Sequence, residues 1–192
     1  PVIMQADQDF SEKRNDRRIG FLGRLHPRKR VELLIYAFAR LAHPDAELII
    51  MGSGEDEYEN FLKKEVSRLH IKNVVFTGMV SGEDKYGLLS SLSVLCVPSD
   101  FENFGMIVPE ALMMKVPVMA SLGTPWEDLR TYKCGWWIEN KVETITGTME
   151  QALSLSEQER VEMGIRGRRL VLERYAVDTI AMKMGELYHW IL

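Results

Sequence analysis

Two carboxylates, Glu102 and Glu110, stand with seven residues between them around a glycine, Gly105. Ahead of them the apolar run 93–97 reads as a buried strand, and 106–114 reads as an apolar helix. Pro109 falls in the first turn of that helix, where a missing N–H is no loss. This places Glu102 on a loop and Glu110 on a helix. The backbone N–H groups of Phe104, Gly105 and Met106 are then expected to point out of the helix N-terminus. That end carries partial positive charge and suits a phosphate, and glycine at 105 lets a ligand approach the backbone closely. Carboxylates are poor phosphate ligands but good acceptors for sugar hydroxyls. The stretch implies a site for a phosphorylated sugar or a nucleotide.

A second group of charges lies upstream. Gly23-Arg24-Leu25-His26-Pro27-Arg28-Lys29-Arg30 places four cations in one turn and the start of the following helix. Cations there oppose the helix dipole, which is easier to explain if an anion sits between them. Standing alone, the turn would read as a solvated basic loop. It does not stand alone: Gly52-Ser53-Gly54-Glu55, Gly78-Met79-Val80-Ser81 and Ser121-Leu122-Gly123-Thr124-Pro125-Trp126 also follow strand-like runs. In an open α/β sheet, ligands bind beyond the carboxyl ends of the strands, where strand order reverses. Five glycine-bearing turns at one edge define a crevice, and the basic and two-carboxylate turns would meet across it. Gly52-Ser53-Gly54 is no dinucleotide fingerprint, since Glu57 stands where a third glycine belongs.

The elements that must position these turns are strand-like runs at 18–23, 46–51, 73–77, 93–97, 117–121 and 134–138. Helical runs alternate with them. Val31, Leu34, Ile35, Phe38 and Leu41 form one apolar face, and Tyr58, Phe61, Leu62 and Leu69 another. Such alternation predicts a Rossmann-like, doubly wound parallel six-stranded sheet with helices on both faces, apolar strands throughout, and order 3-2-1-4-5-6. The chain then turns helical to its end. Residues 142–155 form one helix, and 156–174 another, opened by a capping box at Ser156 and Glu159. A last helix puts Val177, Ile180, Ala181, Met184, Leu187, Tyr188 and Ile191 on one face. That face packs on the sheet's own helices or docks on an upstream half.

The chain has 192 residues, 46% hydrophobic and 27% charged, with a formal net charge of −4. That is an ordinary globular composition, one domain in length, with no basic footprint for nucleic acid. Two cysteines, Cys96 and Cys134, lie in or beside apolar strands without metal-ligand spacing, so both read as structural thiols of a reducing compartment. No apolar run approaches the ~18–20 residues of a membrane span. The first residue is Pro1 rather than methionine. Residues 1–16 are expected to be a linker from a missing N-terminal domain, with 17–192 the binding domain.

Gly23-Arg24-Leu25 with Lys29, Gly52-Ser53-Gly54, Phe76-Thr77-Gly78, Pro98-Ser99 and the pair Glu102…Glu110 occur in order over nearly the whole chain. Together they resemble the C-terminal donor-binding domain of retaining glycosyltransferases of family 4, with the GT-B fold. The resemblance implies transfer of a sugar from a nucleoside-diphosphate sugar with retained configuration, without a cofactor or an obligatory metal. Arg24 and Lys29 would hold the donor pyrophosphate and Glu110 the ribose hydroxyls. Glu102 would meet the transferred sugar, helped by Asn103 and the N–H groups of Phe104, Gly105 and Met106. Gly23, Gly52, Gly54 and Val80 would line the rest of the donor pocket, Val80 facing the base through backbone groups. The acceptor would bind the missing N-terminal domain of the same chain. The expected location is the cytoplasm, and peripheral membrane association of the full-length enzyme is within what the resemblance allows.

Departures from the family pattern are few. Lys115 and Arg30 stand where glycine is common, and Arg30 is expected to add charge beside the phosphates. Gly123-Thr124-Pro125-Trp126-Glu127 and Gly135-Trp136-Trp137 resemble a bacterial branch that builds surface polysaccharide or lipopolysaccharide. Trp126 is expected to pack on its own domain rather than stack on a sugar; Trp136 and Trp137 receive no role. Alternatives are a sugar-nucleotide epimerase or phosphorylase of the same fold, whose extra catalytic groups are not evident, and a stand-alone nucleotide-binding module.

Overall fold

The computed structural model describes residues 17–176 and, beyond them, 179, 181, 182 and 184. The linker read at 1–16 and most of the last helix lie outside the described residues. Of the face drawn for that helix, Ala181 and Met184 are described, and both are exposed.

Six short strands carry the apolar runs: β1 (Arg18–Leu22), β2 (Glu47–Met51), β3 (Val74–Gly78), β4 (Val94–Val97), β5 (Val118–Ser121) and β6 (Gly135–Ile138). They make one parallel sheet in the order β3-β2-β1-β4-β5-β6. The chain winds outward from β1 to β3, returns to place β4 against β1, and winds outward again. The reversal therefore falls between β1 and β4, paired through Ile19 with Val94 and Gly20 with Leu95.

Strand alternation sorts the core into two layers. In β2, Leu48 and Ile50 face α1 (Val31–Phe38), α2 (Asp56–Arg68) and α6 (Val142–Ser154), while Ile49 and Met51 face the other side. There they meet α3 (Gly82–Ser90), α4 (Ile107–Met113) and α7 (Glu157–Arg174). A single turn, α5 (Asp128–Thr131), precedes β6. The Ser156 hydroxyl accepts the Glu159 N–H at 3.3 Å, and the Glu159 carboxylate accepts the Ser156 N–H at 2.8 Å, so the expected capping box opens α7. These bonds to Ser156 hold the Glu159 carboxyl below its ordinary pKa.

Two expectations need correcting. Burial on both faces holds for the inner strands, with every residue of β4 and β5 buried, but not at the edges: Val75 in β3 is 47% exposed. An edge strand has a neighbour on one side only. Phe61 is no core residue either. It lies about 100° round the helix from Leu62, which is the fully buried residue of α2, and is 40% exposed against the ring of Tyr58.

Both cysteines are free and buried. Burial pushes the Cys96 thiol far up, and it is the largest cause pushing Cys134 up to about 12. A thiol that is neither ionised nor accessible is a poor nucleophile. Iodoacetamide at pH 8 should therefore leave both cysteines unmodified in the folded chain and alkylate both in urea, as read by intact mass. Rapid labelling of Cys96 without denaturant would contradict this packing.

Candidate functional site

The turn after β1 is held in place by backbone bonds. The Gly23 N–H donates to the Met51 carbonyl at 3.0 Å, and the Leu25 N–H to the Ser53 carbonyl at 2.9 Å. The two loops approach so closely that a Cβ on Gly52 would lie 1.9 Å from the Gly23 carbonyl oxygen, and Gly52 has φ +130. No other residue fits there. Pro27–Lys29 then forms a 3-10 turn whose first N–H groups include that of Arg28, accepted by His26 Nδ1 at 3.2 Å. Arg30 follows in the left-handed conformation at φ 54.

Across the reversal, the Asp100 N–H donates to the Arg28 carbonyl at 2.8 Å. The basic turn and the two-carboxylate turn thus meet as expected, joined by backbone as well as by charge. Lys29 Nζ pairs with Glu102 Oε1. Arg30 pairs with Asp100 at 2.8 Å and with Glu32 at 3.3 Å, and Arg24 with Glu55 at 3.3 Å on the surface. The anions that offset these cations are therefore the chain's own. The Arg30 guanidinium, expected to add charge beside the phosphates, meets Asp100, whose hydrogen bond raises its pKa.

The second turn is equally constrained. The Ser99 hydroxyl donates to Glu102 Oε1 at 2.7 Å, and the Ser121 hydroxyl donates to the Ser99 carbonyl. Gly105 turns the chain at φ +77 into α4. The Trp126 indole N–H donates to the Phe104 carbonyl, and the rings of Phe104, Trp126 and Tyr175 pack with centroids 5.1 to 5.6 Å apart. The Tyr175 hydroxyl donates to Asp128 at 2.9 Å; burial first, and this bond second, push its pKa up to about 12. Trp126 is fully buried, so it packs on its own domain, as expected. Among the described residues the N–H groups of Phe104, Gly105 and Met106 donate to nothing. Asn103 is exposed beside them.

A cavity of about 430 Å³ lies beyond β1, β2 and β3, lined by Gly23, Arg24, Gly52, Gly54, Met79 and Val80 among others. It gathers five of the residues singled out from the sequence. Lys29, Glu102, the 104–106 turn and Glu110 form the other group, centred on β4 and α4. A larger hollow, about 540 Å³, lies at the opposite end of β6 around Trp136, Lys133 and Arg166, away from both groups. Among the described residues no His, Cys, Asp and Glu side chains gather as metal ligands, and no helix is long and apolar enough to cross a membrane.

One site residue escaped the sequence, and another was quoted there without a role. Lys85 Nζ lies 2.6 Å from Glu110 Oε2, and Ser99 anchors Glu102. Ser99 lies within the motif that carried the family resemblance, so position was a usable signal. Nothing local links Lys85 to Glu110, because α3, β4 and a turn separate them.

The strand order and the crevice at its reversal define a Rossmann-like domain of the GT-B kind. The chain belongs to the glycosyl transferases group 1, whose family model matches residues 4–170. It is 30% identical over 184 residues to an uncharacterized glycosyltransferase of Methanocaldococcus jannaschii, covering 91% of this chain and 45% of that protein. Anabaena HepE, solved in complex with UDP, has the same fold with TM-score 0.81 at 21% identity, over 90% of this chain and 48% of that one. The C-terminal domain of a Francisella tularensis group 1 glycosyl transferase, LpcC, superposes with TM-score 0.74 at 21% identity, over 83% of this chain and 86% of that one. The chain thus spans half or less of the first curated relatives it matches, from 39% to 50% of their length.

Because Trp126 is fully buried, truncating it should cost about 3–5 kcal/mol of stability. Urea unfolding of Trp126→Ala measures this; an unchanged midpoint would contradict this packing.

Proposed function

We propose that this chain is the donor-binding, C-terminal half of a two-domain retaining glycosyltransferase of family 4, acting in surface polysaccharide or lipopolysaccharide synthesis. Residues 17–192 form the donor domain and 1–16 the linker to an acceptor-binding N-terminal half. The observation that carries the reading is the junction across the sheet reversal, where Lys29 meets Glu102 beside the unused N–H groups of Phe104, Gly105 and Met106. A donor diphosphate takes Lys29 and Arg24 as cations and the turn's N–H groups as hydrogen-bond donors. Glu102, released from Lys29 and still held by Ser99, then accepts from hydroxyls of the transferred sugar. Glu110 accepts from the ribose, and the Val80 backbone faces the base in the cavity.

Chemically, the arrangement stabilises the charge that develops on a departing diphosphate, which preorganised donors do well in a cleft that excludes water. Exclusion needs a second wall. Phe101, Met106 and Leu122 are exposed at the ends of β4 and β5, where an opposing domain would cover them. The length of the relatives supports the same division.

Calorimetric titration with UDP and GDP tests the phosphate assignment. Charge-assisted hydrogen bonds are worth roughly 1.5–3 kcal/mol, so Arg24→Ala and Lys29→Ala should each weaken binding about ten- to hundredfold without unfolding the chain. EDTA should change nothing. Unaltered affinity in both variants would sink the assignment.

The carboxylates should separate by ligand part. Glu110→Ala should weaken the free nucleoside diphosphate, and Glu102→Ala mainly the intact sugar nucleotide. Equal losses for both ligands with a lowered thermal midpoint would make Glu102 a turn cap only. Finally, the 192-residue chain should bind donor yet transfer no sugar, because positioning of the acceptor supplies much of the rate. Turnover by this chain alone against a panel of acceptors would overturn the two-domain reading.

A further inference from the structure

We infer that Lys85 and Glu110 together read the vicinal diol of the donor's ribose, Glu110 accepting from one hydroxyl and Lys85 donating to the other. The inference rests on the assignment of Glu110 to the ribose and adds a binding residue, Lys85, that fixes the selection of ribose over deoxyribose.

Lys85 Nζ lies 2.6 Å from Glu110 Oε2, and the two side chains are 21% and 18% exposed. A half-buried ion pair of this kind adds little net stability, since desolvation offsets most of the attraction. Stability therefore does not account for its presence. Its unused hydrogen-bonding capacity does point somewhere. The ion pair engages one carboxylate oxygen, Oε2. Among the described residues, Oε1 of Glu110 has no hydrogen-bond partner and the Lys85 ammonium no other; the ammonium otherwise lies 5.3 Å from the centre of the Tyr86 ring.

A free acceptor and a free donor, fixed side by side, match two adjacent hydroxyls. One hydroxyl donates to the carboxylate, and the other accepts from the ammonium. A carboxylate alone offers acceptors only. The pair also has the right place in the fold. Lys85 sits in the first turns of α3, five residues after the cavity wall residue Val80, and Glu110 lies one turn past the 104–106 amides. Base, ribose and phosphate contacts thus follow one another along the ends of β3 and β4.

The test titrates the 192-residue chain with UDP, 2′-deoxy-UDP and 3′-deoxy-UDP, repeated with the guanine series. Loss of a hydrogen bond to a charged group costs about tenfold in affinity or more, so each deoxy analogue should bind wild type about tenfold less tightly. Lys85→Met should weaken UDP by a similar factor and abolish the penalty for one deoxy analogue while keeping it for the other. Lys85→Gln, which keeps a donor, should retain part of both penalties and serves if the methionine variant does not fold. If Lys85→Met keeps both penalties in full, or loses UDP and pyrophosphate equally, Lys85 is no diol reader and the inference falls while Glu110 keeps its role. If wild type binds ribose and deoxyribose forms of both bases alike, the ribose assignment of Glu110 fails, and this inference with it.

Discussion

The hydrogen bond from the Asp100 N–H to the Arg28 carbonyl, 2.8 Å long, is the constraint on which the site depends. It joins the turn after β1 to the turn after β4 at the point where the sheet reverses direction. On either side of it, Lys29 meets Glu102 and Arg30 meets Asp100. Had β4 been added beside β3 instead, two strands would stand between the turn that carries the cations and the turn that carries the carboxylates. The strand order is thus a statement about chemistry as well as about packing.

The charges so assembled are balanced within the chain, and that balance is soft. Arg24 and Glu55 are largely exposed, and such pairs contribute little. Lys29 and Glu102 are less exposed, but Glu102 has a second partner in the Ser99 hydroxyl. Arg30 differs in having two of the chain's own carboxylates against it, Asp100 and Glu32.

Rigidity comes from behind the site. The ring cluster of Phe104, Trp126 and Tyr175 fixes the Gly105 turn from the protein side, and Asp128 ties Tyr175 and Arg174 to α5. Among the described residues the N–H groups of the turn donate to none of these partners. On the other flank, the contact of Gly52 with the Gly23 carbonyl closes the wall of the 430 Å³ cavity. Preorganisation of this sort lowers the cost of ordering the site when a ligand arrives.

By itself the sequence determined what depends on local pattern. Apolar runs of strand length placed all six strands to within a residue or two, the Ser156–Glu159 spacing placed the start of α7, and glycine and proline placed the turns. The spacing of Glu102 and Glu110 about Gly105 already marked the loop-to-helix turn. Tertiary structure decided the partners. Lys85 and Glu110 meet only because α3 and α4 cover the same face of the sheet, and no periodicity records that. Arg30 meets Asp100 only because the β1–β4 junction brings that residue to it. Phe61 falls outside the core because successive helix residues point about 100° apart and Leu62 is the one turned to the sheet. Helix and strand periods are written in neighbouring residues, whereas ion pairs between distant residues are set by sheet order, which the sequence reading took from the usual winding of this fold and the structure realised.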